Sequence, residues 1–156
     1  MKQLLNKTIV LTNNSVGDHQ LSSLEDLGAI THHIPFIQTN PTNNVITTNS
    51  NPNWIIVTSA TAVPYITANL LGTRPHIASV GPTTSEALRQ AGMIVDFESP
   101  IHTAEALGNE LPIAAGEEIL FPCSSSAGRL MEEILIQRGA KFNRWECYET
   151  GNRGMK

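Results

Sequence analysis

Short runs of β-branched and apolar residues alternate with helical patterns along the chain, and this alternation constrains the fold more than any other feature. Between successive runs, apolar side chains recur at helical spacing, as in Val63, Ile66 and Leu70. Because strand, helix and strand in succession form right-handed βαβ units, the pattern predicts an α/β fold built on parallel sheets. The predicted strands are residues 8–12, 29–34, 54–58, 76–80, 93–97, 118–122 and 142–148.

Glycines and hydroxyl residues mark the ends of the predicted helices. A glycine follows each of four helical stripes, where a left-handed residue commonly ends a helix. Thr83 to Glu86 matches a capping box, in which a hydroxyl and a carboxylate each satisfy a free amide of the first turn. Thr58 and Ser59 offer a further N-cap after a strand. The four glycines are Gly28, Gly72, Gly92 and Gly139.

Residues 38–53 differ in composition from the rest of the chain. They are almost all Asn, Thr, Ser and Pro, which cannot bury much surface, and they are predicted to form a linker. The linker separates a first βαβ unit, residues 1–37, from a larger α/β block, residues 54–150, and residues 151–156 form a polar tail. Because a lone βαβ unit buries little surface, it must pack on the block, pair with another chain or belong to a larger domain.

Charge and hydropathy exclude several classes of protein. The chain of 156 residues has a formal charge of −4, which does not present the basic surface of a nucleic-acid binder. No apolar run approaches the roughly 20 residues of a membrane span, and the first residues do not resemble a secretory signal. The two cysteines, Cys123 and Cys147, form no Cys-x-x-Cys pair. We therefore expect a cytoplasmic protein with reduced thiols.

Hydroxyl residues and a glycine follow four of the predicted strands and precede helices. In a parallel sheet, ligands gather where the strands end, at what we call the carboxyl edge. Free amides, hydroxyls and positive helix ends at this edge suit carboxylates or phosphates, although each segment alone is also explained by N-capping. Four such segments together favour anion binding. They are residues 12–15, 58–61, 80–84 and 122–126.

Other motifs and single residues narrow the chemistry further. The chain contains no Gly-x-Gly-x-x-Gly, no Gly-x-x-x-x-Gly-Lys-Ser/Thr and no Gly-x-Ser-x-Gly. Adjacent His32 and His33 point to opposite faces of a strand, the other histidines lack ligand spacing, and no metal site is predicted.

Two single residues are candidates for chemistry. Cys123 before a helix is either an activated thiol or a small core residue, and no adjacent base supports the activated thiol. Tyr148 at a strand end either donates a proton or covers an interface edge.

Several motifs occur in a fixed order over almost the whole chain. They include the strand running into Thr58-Ser59, the turn at Val80-Gly81 before Thr84, and the final Tyr148-Glu149-Thr150. In order and spacing they resemble the uroporphyrinogen-III synthase family. The matching segments are residues 9–12, 27–29, 54–63, 78–88, 104–107, 119–122, 129–130, 138–140 and 148–150.

The resemblance implies a fold of two α/β domains with flavodoxin-like parallel sheets, one inserted in the other and joined by a two-stranded linker. It implies a lyase of heme biosynthesis that closes hydroxymethylbilane to uroporphyrinogen III, with inversion of the D ring, loss of water and no cofactor. In the family the chain continues after the tyrosine to complete the first domain, whereas this sequence stops at Lys156. We therefore expect a truncated chain in which residues 1–37 open an incomplete domain.

The resemblance also assigns site residues. Tyr148 matches the family tyrosine that assists departure of the substrate hydroxyl, and Thr84 matches its cleft threonine. Thr58 and Ser59 match the cleft-lining Thr-Ser pair. Ser124 is a further substrate-binding candidate, although Cys123-Ser124 stands where the family frequently has Arg-Gly, and Asn13 stands where Arg is common.

Two other readings of the sequence stay open. The first is a non-catalytic, flavodoxin-like module that binds anions or proteins. It would present the unpaired edge of residues 1–37 to a partner, and a homodimer through these residues is the form we expect. The second, a phosphate-binding enzyme, lacks a general base at recognisable spacing.

Overall fold

In the computed structural model, residues 2–13, 16–46, 51–69 and 74–152 are described. The chain folds as two compact units. The first comprises residues 1–40 and 150–156, and the second comprises residues 41–149.

The first unit contains one βαβ motif. Strand β1 (Thr8–Leu11) pairs in parallel with β2 (Ile30–His33), and helix α1 (Asp18–Asp26) connects them. Helix α1 contacts β2 through a hydrogen bond from Thr31 Oγ1 to Glu25 Oε1 of 2.6 Å. Gly28 has a φ of +93° after the helix, which confirms the predicted left-handed residue there.

Strands β3 to β8 form one sheet in the order β3-β8-β7-β4-β5-β6. All pairings from β8 across to β6 are parallel, so the predicted α/β class with parallel sheets is confirmed. Strand β3 overlaps the start of the segment predicted as a linker, residues 38–53, and it lies beside β8. The strands are β3 (Ile37–Pro41), β4 (Trp54–Val57), β5 (His76–Ser79), β6 (Phe97–Glu98), β7 (Glu118–Ser124) and β8 (Lys141–Asn152).

Helices cover both faces of this sheet. A 3₁₀ turn (Ala60–Ala62) leads into α2, and α2 and α3 share one core with Ile55 and Leu120. Helices α4 and α5 share the opposite core with Ile56 and Ile119. Because β4 is central, both of its faces are buried, and this explains its uninterrupted apolar sequence. The helices are α2 (Val63–Asn69), α3 (Pro82–Gln90), α4 (Ala104–Glu110) and α5 (Leu130–Gln137).

Two local predictions were wrong. The capping box at Thr83 to Glu86 does not form, because α3 begins earlier, with Gly81 as N-cap and Pro82 in the first turn. Proline is favoured at that position, since its φ is already helical and its missing N–H is not needed there. The strand predicted at residues 93–97 is shorter and later, at Phe97–Glu98. The predicted helix end at Gly72 lies outside the described residues.

Gly139 ends α5 with a φ of +90°, and Gly92 ends α3 with a φ of +79°. A Cβ at Gly139 would lie 3.0 Å from Ala115 Cβ, whereas a Cβ at Gly92 would meet nothing within 4 Å. We expect Gly92→Ala to lower the free energy of unfolding by about 1 kcal/mol through backbone strain alone. Gly139→Ala adds steric overlap and should cost about 2 kcal/mol.

Urea unfolding of both variants measures this difference. Equal losses in the two variants would show that the contact of Gly139 with Ala115 contributes nothing.

Candidate functional site

The five candidate residues of the sequence analysis all lie at the carboxyl edge of the second unit. Thr58 and Ser59 follow β4, and Thr84 lies in the first turn of α3, which follows β5. Ser124 ends β7, which lies between β4 and β8. Tyr148 of β8 is the register partner of Ser124.

A β-bulge sets the position of Tyr148. Pairing between β7 and β8 shifts by one residue between Cys123 and Ser124, so that Ser124 pairs with Tyr148 and not with Cys147. A shift of one residue turns every following side chain to the other face of the strand relative to its partners. The bulge therefore decides which side chains of the two strands share a face at this edge.

Tyr148 is held on two sides and is only 6% exposed. Its ring stacks on that of Tyr65 from α2, with centroids 5.8 Å apart and planes 19° apart. Burial raises the pKa of the Tyr148 phenol above its ordinary value of 10.0, and a side-chain hydrogen bond with Ser59 opposes this in part. The phenol is therefore protonated at neutral pH and remains a hydrogen-bond donor.

Ser59 connects Tyr148 to the start of the next helix. Its backbone is extended and its Oγ accepts a hydrogen bond from the Thr61 amide at 3.3 Å, which confirms Ser59 as an N-cap. The Ser59 hydroxyl also acts to lower the pKa of the Tyr148 phenol through a side-chain hydrogen bond, so it connects the residue after β4 with the middle of β8.

The turn after Ser124 is tied to β8. Ser124 Oγ lies 3.0 Å from Ser126 Oγ and accepts from the Ser126 amide at 3.3 Å. The Ser125 amide donates to the Tyr148 carbonyl at 2.9 Å. Arg144 of β8 holds the next residues, since its Nη2 donates to the Ala127 carbonyl at 2.7 Å.

Arg144 is itself fixed by two carboxylates. Its Nε lies 3.0 Å from Glu146 Oε1 and its Nη1 lies 3.3 Å from Glu132 Oε2. These hydrogen-bonded carboxylates raise the pKa of the guanidinium although its burial acts in the opposite direction. Arg144 therefore stays charged and orients the turn that carries Ser124.

Thr58 and Thr84 differ in their surroundings. Thr58 lines an apolar cavity of about 110 Å³ that also includes Ala104, Phe121 and Met131. Thr84 is buried in the first turn of α3, with 5% of its surface exposed. The carboxyl edge thus combines hydroxyls, a protonated phenol and a small apolar cavity.

Cys123 is a core residue and not an activated thiol. It lies inside β7 with 2% of its surface exposed, and burial raises the pKa of its thiol to about 12 although Arg144 acts to lower it. Burial also raises the pKa of the Cys147 thiol to about 11. The activated thiol that the sequence allowed at Cys123 is therefore wrong, because Cys123 lies inside β7 and not at the start of a helix.

These thiols predict a pH dependence of stability. The folded state holds both protons above pH 9, the ordinary pKa, whereas the unfolded state releases them. Their stabilisation is therefore complete below pH 9 and is lost as pH rises towards the folded pKa values. We expect each thiol to lower the free energy of unfolding by about 1.4 kcal/mol per pH unit above pH 9.

Urea unfolding at several pH values between 8 and about 10.5 measures this slope. In the control variant Cys123→Ala the thiol contribution to the slope should fall by half. An identical slope in the variant would contradict the prediction.

Among residues 2–13, 16–46, 51–69 and 74–152, no group of three or more His, Cys, Asp or Glu side chains is arranged to hold a metal ion. Within the same residues, no helix has the length and apolar character needed to cross a membrane.

Two residues of the site were not found from the sequence. Tyr65 shows no local signal, because its stacking partner Tyr148 is distant from it in the sequence. Arg144 shows no local signal either, because its contacts with the turn at Ala127 depend on the pairing of β7 with β8.

Comparison with known proteins gives one family and several solved structures of similar fold. A family model described as uroporphyrinogen-III synthase HemD matches residues 19–155. A solved uroporphyrinogen III synthase from Thermus thermophilus is 15% identical with a TM-score of 0.62, and the match covers 94% of this chain and 63% of that one. A uroporphyrinogen-III synthetase from Helicobacter pylori is 14% identical with a TM-score of 0.63, over 96% of this chain and 64% of that one.

At these identities the solved structures show the fold alone. The chain spans slightly less than two thirds of the length of either structure. No curated protein matches it.

Proposed function

The chain belongs to the uroporphyrinogen-III synthase family, and from this we propose that it acts on hydroxymethylbilane. The proposed reaction closes the linear tetrapyrrole to uroporphyrinogen III with inversion of the D ring and loss of one water. No cofactor takes part in it.

The buried phenol of Tyr148 at the carboxyl edge is the observation that carries this proposal. A leaving hydroxyl must take up a proton to depart as water, and a protonated phenol next to it supplies a hydrogen bond or the proton itself. The raised pKa keeps Tyr148 protonated, and Ser59 and Tyr65 fix its position. We assign Tyr148 the role of assisting departure of the hydroxyl.

The hydroxyls of the same edge suit the acidic side chains of the substrate. Hydroxymethylbilane carries eight carboxylates, and neutral donors bind carboxylates through hydrogen bonds of increased strength. Thr58, Ser59, Thr84 and Ser124 are assigned to substrate binding on this ground. Cys123 and Asn13 are neutral where cations are frequent in the family, so we expect weaker binding than in relatives that carry them.

The test supplies freshly made hydroxymethylbilane to the 156-residue chain and resolves the porphyrin isomers after oxidation. We expect the type III isomer in excess over a reaction in buffer, where closure without inversion gives type I. Chain unfolded in urea and diluted into the assay is the matched control. A product of type I alone would show that this chain does not catalyse the reaction.

We also propose that residues 1–37 mediate a homodimer. One face of the β1–β2 pair exposes Val10 (49%) and Ile30 (55%), and Ile34 and Phe36 just beyond β2 are exposed as well. Among the described residues β1 and β2 pair only with each other, so the outer edge of each is open. A second copy would cover both the apolar face and an open edge.

Light scattering tests this association. We expect a dimer for the natural chain and a monomer for Ile30→Glu, while Ile94→Glu, an exposed isoleucine of the second unit, should remain a dimer. A monomeric natural chain at a concentration of about 100 μM would remove the proposal.

A cytoplasmic location is proposed as well. Cys123 and Cys147 are free thiols, as expected in a reducing compartment. Cell fractionation of the tagged chain tests the location.

A further inference from the structure

A carboxylate at the end of β6 holds helix α3. Glu98 is the last residue of β6, and the Ser85 hydroxyl of α3 donates a hydrogen bond to its Oε2. Nη2 of Arg89, one turn further along the same helix, lies 3.9 Å from the same oxygen. Because residues four apart lie on one face of a helix, Glu98 contacts that face of α3 at two successive turns.

The hydrogen bonds around Glu98 run in one direction. The Ser85 hydroxyl has a single proton, and this proton goes to Glu98 because a carboxylate only accepts. Ser85 Oγ therefore accepts from Ser79 Oγ, which lies 2.6 Å away at the end of β5. Ser79 is also the register partner of Glu98. Ser79, Ser85 and Glu98, which we call the serine–glutamate cluster, thus connect β5, α3 and β6.

Stability alone does not explain a polar cluster at this position. Ser79 and Ser85 are both 0% exposed, and α3 packs its Leu88 into the apolar core that contains Ile55 and Ile77. Apolar side chains of similar volume commonly stabilise a core as well as a buried polar network does, whereas the network specifies one arrangement of the groups that it joins. The arrangement specified here is the rotation of α3 about its own axis, because both contacts with Glu98 lie on one face of the helix.

The rotation of α3 matters for Thr84. This residue precedes Ser85 in the first turn of the helix, so its side chain turns with the helix. Groups that bind a ligand have to be held to within about 10–20° of the productive direction. The contact that fixes Ser85 therefore also fixes the direction of the Thr84 hydroxyl.

We propose that Glu98 is a positioning residue that acts through Ser85 and sets the direction of Thr84 towards the substrate. The inference rests on the proposed function, in which Thr84 binds the tetrapyrrole, and it adds a residue that the matching segments do not include. Glu98 carries a charge of the same sign as the carboxylates of the substrate, so it holds the helix and does not bind the substrate itself.

The test needs no turnover. The full chain is titrated with uroporphyrin III, the oxidised octacarboxylate product, and binding is followed by porphyrin fluorescence. Glu98→Leu removes the acceptor of Ser85 and retains a side chain of similar volume, and we expect its Kd to rise by about tenfold. Glu98→Gln retains an oxygen that accepts from Ser85, so its Kd should stay within about twofold of the natural value. Ser85→Ala breaks the same link from the side of the helix and should weaken binding like Glu98→Leu.

Two control variants separate positioning from charge and from stability. Glu86→Gln neutralises an exposed carboxylate of the same helix, which accepts from Gln90, and the Kd should change by less than about twofold. Leu107→Ala weakens the core on the opposite face of the sheet from α3, and its Kd should also stay within about twofold. Circular dichroism confirms that each variant is folded under the conditions of the titration.

An unchanged Kd in Glu98→Leu and Ser85→Ala overturns the inference, as does an equal loss in Glu98→Gln or in either control, or the absence of binding by the natural chain. The isomer assay decides the proposed function separately. A chain that forms the type III isomer but binds uroporphyrin equally with and without the Glu98 carboxylate keeps the function and loses this inference.

Discussion

Tyr148→Phe is expected to lower kcat for formation of the type III isomer by about 10²-fold, with little change in KM. The substitution removes one oxygen atom and leaves the aromatic ring stacked on Tyr65. The lost group is the protonated donor that we place beside the departing hydroxyl, and its effect falls on the chemical step. The measurement is the initial rate of type III formation at several concentrations of hydroxymethylbilane.

Tyr65→Phe is the control for this prediction. It removes the same atom from the other ring of the stack, and we expect a change in kcat of less than about threefold. Urea unfolding of both variants shows whether either fold is weakened, and the loss of one hydrogen bond at Tyr148 should cost about 1 kcal/mol. Equal kcat values for Tyr148→Phe and the natural chain would remove Tyr148 from the mechanism.

Leu107→Ala is expected to lower the free energy of unfolding by about 3 kcal/mol. Leu107 is completely buried on α4, where it packs in one core with Ile56, Leu111 and Leu135. Removing its branched end loses apolar burial and leaves a cavity that neighbouring side chains of the sheet and α5 fill only in part. Urea unfolding followed by tryptophan fluorescence measures the loss, because Trp54 lies in the same core.

Leu130→Ala makes the same chemical change at a leucine that is 52% exposed, and it should cost less than about 1 kcal/mol. Similar losses in the two variants would mean that α4 does not pack on the sheet as described.

Much of the fold follows from local patterns. Residues 54–57 are apolar without alternation, which is typical of a strand buried on both faces, and they form the central strand β4. Predictions were less accurate where two local motifs indicated different start positions for the same helix. The hydroxyl and carboxylate at Thr83 and Glu86 suggested a capping box, but Pro82 starts α3 first, and the Glu86 carboxylate accepts from Gln90 instead.

The candidate site was likewise predictable from the sequence only where local motifs define it. Thr58, Ser59, Thr84 and Ser124 were placed at one edge because strand ends and helix starts are visible as short motifs, and the structure has them there. Tyr65 and Arg144 were not found. The stacking of Tyr65 on Tyr148 joins distant parts of the chain, and the contact of Arg144 with the turn at Ala127 depends on the pairing of β7 with β8.

The sequence by itself determined the order of strands and helices apart from β3, the parallel α/β class and the edge at which the polar residues gather. These follow from periodicity and turn chemistry, which act over a few neighbouring residues. Only the tertiary structure decided that Ser59 meets Tyr148 and that Tyr65 stacks on it. Those contacts depend on β7 lying between β4 and β8 and on the bulge at Ser124. Strand order and register are selected by packing of the whole sheet, so no local pattern contains them.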